Sequence, residues 1–275
     1  MWPFYAMDTC FYTSQGSYGL EARCAMSREL GYDAAYLTLA NDASWQDLER
    51  LGETARANDL DVAAVWGCLE VAAGPDAGIN QLLFDSLPLL RGMPRLELAL
   101  RDTRAPDRRY DADDDDAARA LVAQLAERLP DGVQVCLYPH INWWLERFDD
   151  AIELCRRIDD DRVGLCFASY HWFATQGDSL DELLAQAGEK LYAVNICGSR
   201  RSPVGPPTIE PLDDGELDNF ALLGALERVG YRGPVGLQGY SVGGDCYGKL
   251  QRSLAAYRDM TRRLETHPEW AVLRP

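Results

Sequence analysis

Between Leu137 and Tyr240 one arrangement recurs four times: a short apolar strand ends on polar residues, and a helix-like segment leads into the next strand. The endings are Leu137-Tyr138-Pro139-His140, Phe167-Ala168-Ser169-Tyr170-His171, Val194-Asn195-Ile196-Cys197 and Gly236-Leu237-Gln238-Gly239-Tyr240. Strands that alternate with helices build a parallel sheet, and such sheets bind ligands beyond the carboxyl ends of their strands. The four endings are therefore expected to converge on one site.

Hydrophobic periodicity extends the pattern over the whole chain. Strands are expected at residues 3–9, 34–39, 61–67, 95–100, 133–138, 163–167, 191–196 and 234–238. Helices are expected at residues 19–30, 45–58, 79–91, 114–128, 148–158, 180–190, 220–229 and 247–264. Eight such pairs fit an α/β (β/α)8 TIM barrel, one domain over residues 1–275, better than an open sheet. Asp218 stands where an N-cap is wanted, and Gly31, Gly52 and Gly230 where helices end or kink. The run Asp113-Asp114-Asp115-Asp116 complements a helix dipole and reads as a solvated helix start rather than a calcium site. Residues 102–113, 198–218 and 241–246, after strands four, seven and eight, form long loops, whereas the helix-to-strand turns are tight. That asymmetry belongs to a barrel enzyme, and it is expected to gather Asp8, Glu70, Arg101, Tyr138, His140, His171, Asn195 and Gln238 at one mouth.

Charge narrows the partners. A net charge of -17 argues against nucleic acid, whose phosphates demand clustered Lys and Arg. No apolar run reaches the ~18 residues of a spanning helix, and the start Met1-Trp2-Pro3-Phe4-Tyr5-Ala6-Met7-Asp8 reads as a first strand rather than a signal peptide, so an acidic cytoplasmic protein is expected. The 8 cysteines form no C-x-x-C pair and read as small buried hydrophobes in a reducing compartment. Trp66, Trp143, Trp144, Trp172 and Tyr240 fall at or just beyond strand ends, where ring faces stack on the C–H groups of a sugar and shape a carbohydrate-sized pocket.

The runs Leu137-Tyr138-Pro139-His140, Trp144-Leu145-Glu146-Arg147-Phe148-Asp149-Asp150-Ala151, Val163-Gly164-Leu165-Cys166-Phe167 and Pro211-Leu212-Asp213-Asp214-Gly215-Glu216-Leu217-Asp218 resemble the second half of the sugar phosphate isomerase/epimerase superfamily, the xylose isomerase-like TIM barrels. The segment Ala225-Leu226-Glu227-Arg228-Val229-Gly230-Tyr231-Arg232-Gly233-Pro234-Val235-Gly236-Leu237 fits the same pattern, while the first half matches mainly in its strand and helix rhythm. The resemblance implies a divalent metal held by Glu, Asp, His and Glu at the ends of strands five to eight, with both glutamates shuttling protons through an enediolate. Position by position, this chain has Tyr138, Ala168, Asn195 and Gln238 in those places. Neutral groups there remove charge and basicity together, so the metal centre is expected to be lost and no cofactor is expected. A divalent metal relocated to His140 and His171, with Glu70 as third ligand, is the alternative left open. The resemblance further implies that His171 and Arg201 contact the substrate.

The function expected is a sugar or keto-sugar isomerase/epimerase that works through an enediolate without the usual metal. His140 or Glu70 would move the proton, Tyr138 would donate as an acid, and Asn195, Gln238, His171 and Arg201 would hold the developing oxyanion. Trp66, Arg101, Trp144 and Tyr240 complete the expected substrate contacts. The alternative is a non-catalytic carbohydrate-binding barrel or a subunit supporting a catalytic partner. An endonuclease is disfavoured by the acidic charge. The partner expected is a small carbohydrate, with neither nucleic acid nor membrane, and self-association is left open.

Overall fold

The computed structural model describes residues 1–240 and 243–272. Eight parallel strands close into a barrel: β1 (Phe4–Ala6), β2 (Ala34–Thr38), β3 (Asp61–Glu70), β4 (Arg95–Arg101), β5 (Gln134–Leu137), β6 (Val163–Ala168), β7 (Leu191–Ile196) and β8 (Val235–Leu237). Each strand pairs with its neighbour in sequence, and closure comes from β1, which pairs with β8 at Phe4↔Val235 and with β2 at Tyr5↔Ala34. The helices are α1 (Leu20–Leu30), α2 (Asp42–Ala57), α3 (Gly78–Ser86), α4 (Asp116–Arg128), α5 (Phe148–Ile158), α6 (Ser169–Thr175), α7 (Leu180–Ala187), α8 (Asn219–Arg228) and α9 (Cys246–Thr266). The (β/α)8 expectation holds.

Several boundaries differ for physical reasons. β1 is shorter than expected because residues Asp8–Phe11 turn into a 3-10 helix, followed by a small antiparallel hairpin, Tyr12–Thr13 with Gly16–Ser17. β3 runs on to Glu70, as its full register with β4 from Val65↔Leu96 to Glu70↔Arg101 requires. The third helix stops at Ser86 and continues as 3-10 turns over Leu87–Leu90, because Pro88 cannot donate a helical hydrogen bond. α6, which starts directly at the end of β6, was not expected at all. Gly31 and Gly230 sit at helix ends with positive φ (94° and 74°), but Gly52 lies inside α2 and neither ends nor caps it. Asp218 caps α8 as expected, accepting from the Ala221 N–H at 3.0 Å. The acidic run before α4 is not wholly solvated: Asp115 is buried, 3.1 Å from Arg157. Of the expected loop at residues 241–246, Ser241 and Val242 lie outside the described residues.

Two apolar layers result from the strand period of two. Outward residues such as Leu37, Val65, Leu98, Leu137, Leu165 and Ile196 pack under the helices. Inward residues fill the barrel with Tyr5, Tyr36, Trp66, Ala99, Cys136, Tyr138, Cys166 and Ala193, a mixture unusually rich in phenols and thiols. The strands are thus buried on both faces, as parallel strands are. Among the described residues no helix is long and apolar enough to cross a membrane.

Candidate functional site

The carboxyl end of the barrel carries an aromatic cluster built by β3, β5, β6 and their loops. Trp66 meets Tyr138 edge to face at 6.2 Å and lies 5.8 Å from Trp143. Tyr138 meets the His171 ring at 5.4 Å, and His140 lies 4.3 Å from both His171 and Trp143. Arg101 extends over the Trp143 face at 5.6 Å, within cation–π range. His171 owes its place to the early start of α6, which swings it inward.

Hydrogen bonds settle the tautomers of the two histidines. A carbonyl only accepts, so His140 Nδ1, 2.9 Å from the Ile141 carbonyl, carries the proton and leaves Nε2 with a lone pair. No partner occupies that nitrogen among the described residues. His171 is the reverse case: the Ile141 N–H donates to its Nδ1 at 3.1 Å, so Nε2 carries the proton. Gln238 faces that Nε2 at 3.3 Å and has an unpartnered, buried Oε1; turning the amide over lets Oε1 accept from Nε2–H. The amide N–H groups of Gln238 are then free to donate. Gln238 also lines a narrow cleft shared with Cys10, Tyr12, Glu210 and Lys249.

Burial keeps the two histidines and Tyr138 uncharged. Desolvation pushes the His140 imidazole down to about 4, and it pushes His171 well below its ordinary value, with the neighbouring His140 adding to the effect. Desolvation also raises the Tyr138 phenol far above its ordinary value, so it stays a neutral donor. Its hydroxyl has no hydrogen-bond partner among the described residues.

Other expected residues lie elsewhere or are already engaged. Glu70 accepts from Thr103 at both oxygens, at 2.8 and 2.6 Å, and lies 3.6 Å from Arg101, so neither of its oxygens is a free base. Asp8 is buried and spent on Thr38 (2.6 and 3.0 Å) and Arg23 (3.4 Å). Asn195 is fully buried inside the barrel, one layer below Tyr138, and donates to Glu97 and Cys166 while accepting from Tyr5. No hydrogen of its amide remains for an oxyanion. Trp144 belongs to the core outside the barrel, edge to face with Tyr110 at 5.4 Å; its neighbour Trp143 faces the histidines. Trp172 likewise packs on Phe167, at 5.8 Å. Tyr240 is exposed and sits 6.3 Å from Tyr12. Arg201 stacks on Phe173 at 4.3 Å, and its guanidinium lies where a Cβ on Gly177 would clash with it. Arg201→Ala should accordingly cost about 0.5 to 1 kcal/mol of stability, the range of an exposed cation–π contact, and leave ligand affinity nearly unchanged. Chemical denaturation beside calorimetric titration checks both halves.

Sequence reasoning missed Glu97, which is 0% exposed at the centre of β4. The signal was there: an acid in the apolar run Arg95-Leu96-Glu97-Leu98-Ala99-Leu100-Arg101, on a strand buried on both faces, has to be paired inside the protein.

The fold and this mouth define a (β/α)8 barrel with a neutral, aromatic-walled polar site at the carboxyl ends of its strands. The chain belongs to the xylose isomerase-like TIM barrel family, whose model matches residues 24–260. It is similar to the inosose isomerase of Bacillus velezensis, 28% identical over 114 residues, and that match spans only 40% of each protein. The inosose isomerase of Bacillus subtilis matches over 40% of this chain and 41% of its own, again at 28% identity. In fold the chain is similar to L-ribulose 3-epimerase (TM-score 0.77, 17% identity, covering 100% of this chain and 99% of that one). A second similar fold is the IOLI protein with a bound zinc atom (TM-score 0.77, 19% identity, covering 96% and 99%).

Proposed function

We propose that the barrel mouth binds a small uncharged keto-sugar or keto-polyol and moves a proton at the carbon beside its carbonyl. The observation that carries this reading is the pairing of a free imidazole lone pair, His140 Nε2, with a free neutral hydroxyl, Tyr138, on either side of His171. His140 accepts the proton, the C–H electron pair becomes the C=C bond of an enolate, and the carbonyl oxygen takes the negative charge. Tyr138 O–H and the Gln238 amide donate to that oxygen, which a neutral donor in a desolvated site stabilises best. Return of the proton to the opposite face of the same carbon gives the epimer; return to the former carbonyl carbon, with the adjacent hydroxyl's proton passing to the enolate oxygen so that a carbonyl forms there, gives the isomer. Trp66 and Trp143 supply apolar faces for the ligand's C–H groups. The partial match to inosose isomerases places inososes beside ketoses in the panel to be tried.

A divalent metal does not fit the groups at the four family ligand positions. Tyr138 is a neutral phenol, Ala168 a methyl group, Asn195 is spent on Glu97, Tyr5 and Cys166, and Gln238 is a neutral amide. Hard divalent ions need anionic oxygens to offset their dehydration. The relocated site fares no better, since the two histidines offer one free nitrogen between them and Glu70 is held by Thr103. No group of three or more His, Cys, Asp or Glu arranged to hold a metal occurs among the described residues. Proton exchange should therefore survive dialysis against a chelator; loss of activity that added manganese or zinc restores would overturn this part of the reading.

The reading is tested by incubating the protein with candidate ketoses and inososes in D₂O and following C–H exchange by NMR. Exchange at the carbon next to the carbonyl supports it, and ligand binding with no exchange would leave a carbohydrate-binding barrel instead. The pH profile is a second check. Because His140 is lowered to about 4, its base form persists through neutral pH, so the rate should rise between about pH 3 and 5 and then stay level. An acid limb centred near 6.5, the ordinary histidine value, would point to another base.

A further inference from the structure

Beneath the mouth, Glu97 on β4 faces Tyr5 on β1 and Asn195 on β7 across the barrel interior. Three contacts close a ring: Tyr5 Oη to Glu97 Oε1 at 3.1 Å, Tyr5 Oη to Asn195 Oδ1 at 2.7 Å, and Asn195 Nδ2 to Glu97 Oε2 at 2.9 Å. Tyr36 adds a fourth contact, donating to Oε2 at 2.6 Å, and the second amide hydrogen of Asn195 goes to Cys166 Sγ at 3.2 Å.

Counting hydrogens decides the charge. Each of the three ring contacts needs one hydrogen between its heavy atoms. Tyr5 has one, and the Asn195 amide supplies one from its nitrogen side, so the third must come from the carboxyl. Turning the Asn195 amide over does not change the count: its nitrogen then donates to Tyr5, Tyr5 donates to Glu97, and Glu97 must donate to the amide oxygen. With an ionised Glu97, three oxygens of the ring would have to share the single Tyr5 hydrogen, around a carboxyl that is 0% exposed.

The surroundings agree. Tyr5, Tyr36, Cys136, Tyr138, Cys166 and Tyr231 are the titratable groups facing Glu97 from the other elements, and none is a cation. Arg95, two residues earlier on β4, is a cation whose field lowers Glu97, the smallest of the named influences, and its guanidinium is engaged by the Ala63 carbonyl at 3.4 Å. Desolvation raises Glu97 above its ordinary value, and the hydrogen bonds to Tyr36, Asn195 and Tyr5 offset it only in part. Room for the ring is made by Gly236 on β8: a Cβ there would lie 2.1 Å from Asn195 Oδ1 and 2.5 Å from the Tyr5 ring.

We propose that Glu97 is a positioning residue held as the neutral carboxylic acid, closing a hydrogen-bonded ring with Tyr5 and Asn195 that ties β1, β4 and β7 together as an uncharged floor under Tyr138. The ring occupies the place where the family resemblance puts a metal ligand, and it does not depend on which ligand the mouth takes or on whether chemistry follows.

The test compares wild type with Glu97→Gln and Glu97→Leu. Glutamine reproduces the acid's pattern, with its N–H donating to Tyr5 and its oxygen accepting from Tyr36 and Asn195, so Glu97→Gln should fold and match wild type near pH 4. Leucine leaves the Tyr36 hydroxyl and an Asn195 amide hydrogen without an acceptor and should lower stability at every pH. The sign follows from linkage: an acid whose folded pKa is raised contributes its stability below the unfolded value and loses it as pH rises through the folded one. Relative to Glu97→Gln, the wild-type folding equilibrium constant should fall about tenfold per pH unit above the unfolded glutamate value of about 4.3, until the folded acid itself ionises. A difference that is flat with pH, or a glutamine variant less stable than wild type throughout, would overturn the proposal. Carbon NMR of wild type with labelled glutamate carboxyls keeps the question open to measurement if the variants misfold. One carboxyl at the protonated position at pH 7 supports the neutral acid, and all carboxyls at the ionised position refutes it.

Discussion

Alanine at His140 should reduce exchange of the ligand's α-proton in D₂O by about 10² to 10⁴-fold, the contribution a positioned general base makes. His140 Nε2 is the imidazole nitrogen at the mouth with a free lone pair, because Nδ1 is committed to the Ile141 carbonyl and both nitrogens of His171 are engaged. Ligand affinity should change much less, since Trp66, Trp143, Tyr138 and Gln238 stay in place. The companion change His171→Ala should act differently. Removing it frees Gln238 and the Ile141 N–H together, so it should weaken binding by roughly ten- to a hundredfold as well as slow exchange. If His140→Ala exchanges protons at the wild-type rate while binding normally, the base lies elsewhere and the assignment fails.

Alanine at Trp144 should destabilise the protein by about 3 to 5 kcal/mol, as truncation of a buried aromatic does. Its ring is 1% exposed and packs on Tyr110 between the sheet and its outer layer, and the Tyr110 N–H donates to its backbone carbonyl at 2.7 Å. Ligand affinity measured on the folded fraction should be unchanged. Trp143→Ala should give the opposite pattern: a modest stability loss and a clear loss of affinity, because that ring lies against His140 and Trp66. Equal effects of the two substitutions on affinity would show that the two tryptophans share the pocket.

These two neighbours show where sequence reading stops. Both sit just past β5, and both were reasonable candidates for a sugar platform. A loop with no fixed period gives no rule for which side chain turns inward, and Asn142, with φ 66° immediately before Trp143, redirects the chain there. The same limit separated His171 from Arg201. His171 lies in the first turn of a helix that leaves β6 at the barrel's end, so its distance from the strand was informative; Arg201 lies in a long loop, where it found Phe173 instead.

By itself the sequence determined the barrel, because eight alternations of apolar strands with amphipathic helices leave few other ways to bury strands on both faces. It also determined that Tyr138, Ala168, Asn195 and Gln238 stand where the family resemblance puts metal ligands, since that follows from residue identity at strand ends. Only the tertiary structure decided what those residues do. Barrel closure brings β1, β4 and β7 across a shared interior, so Asn195 meets Tyr5 and Glu97, partners 190 and 98 residues away in sequence, rather than a ligand. Hydrogen-bond direction is likewise a property of the folded chain: the Ile141 carbonyl and N–H set opposite tautomers on two adjacent imidazoles, and leave the lone pair on His140.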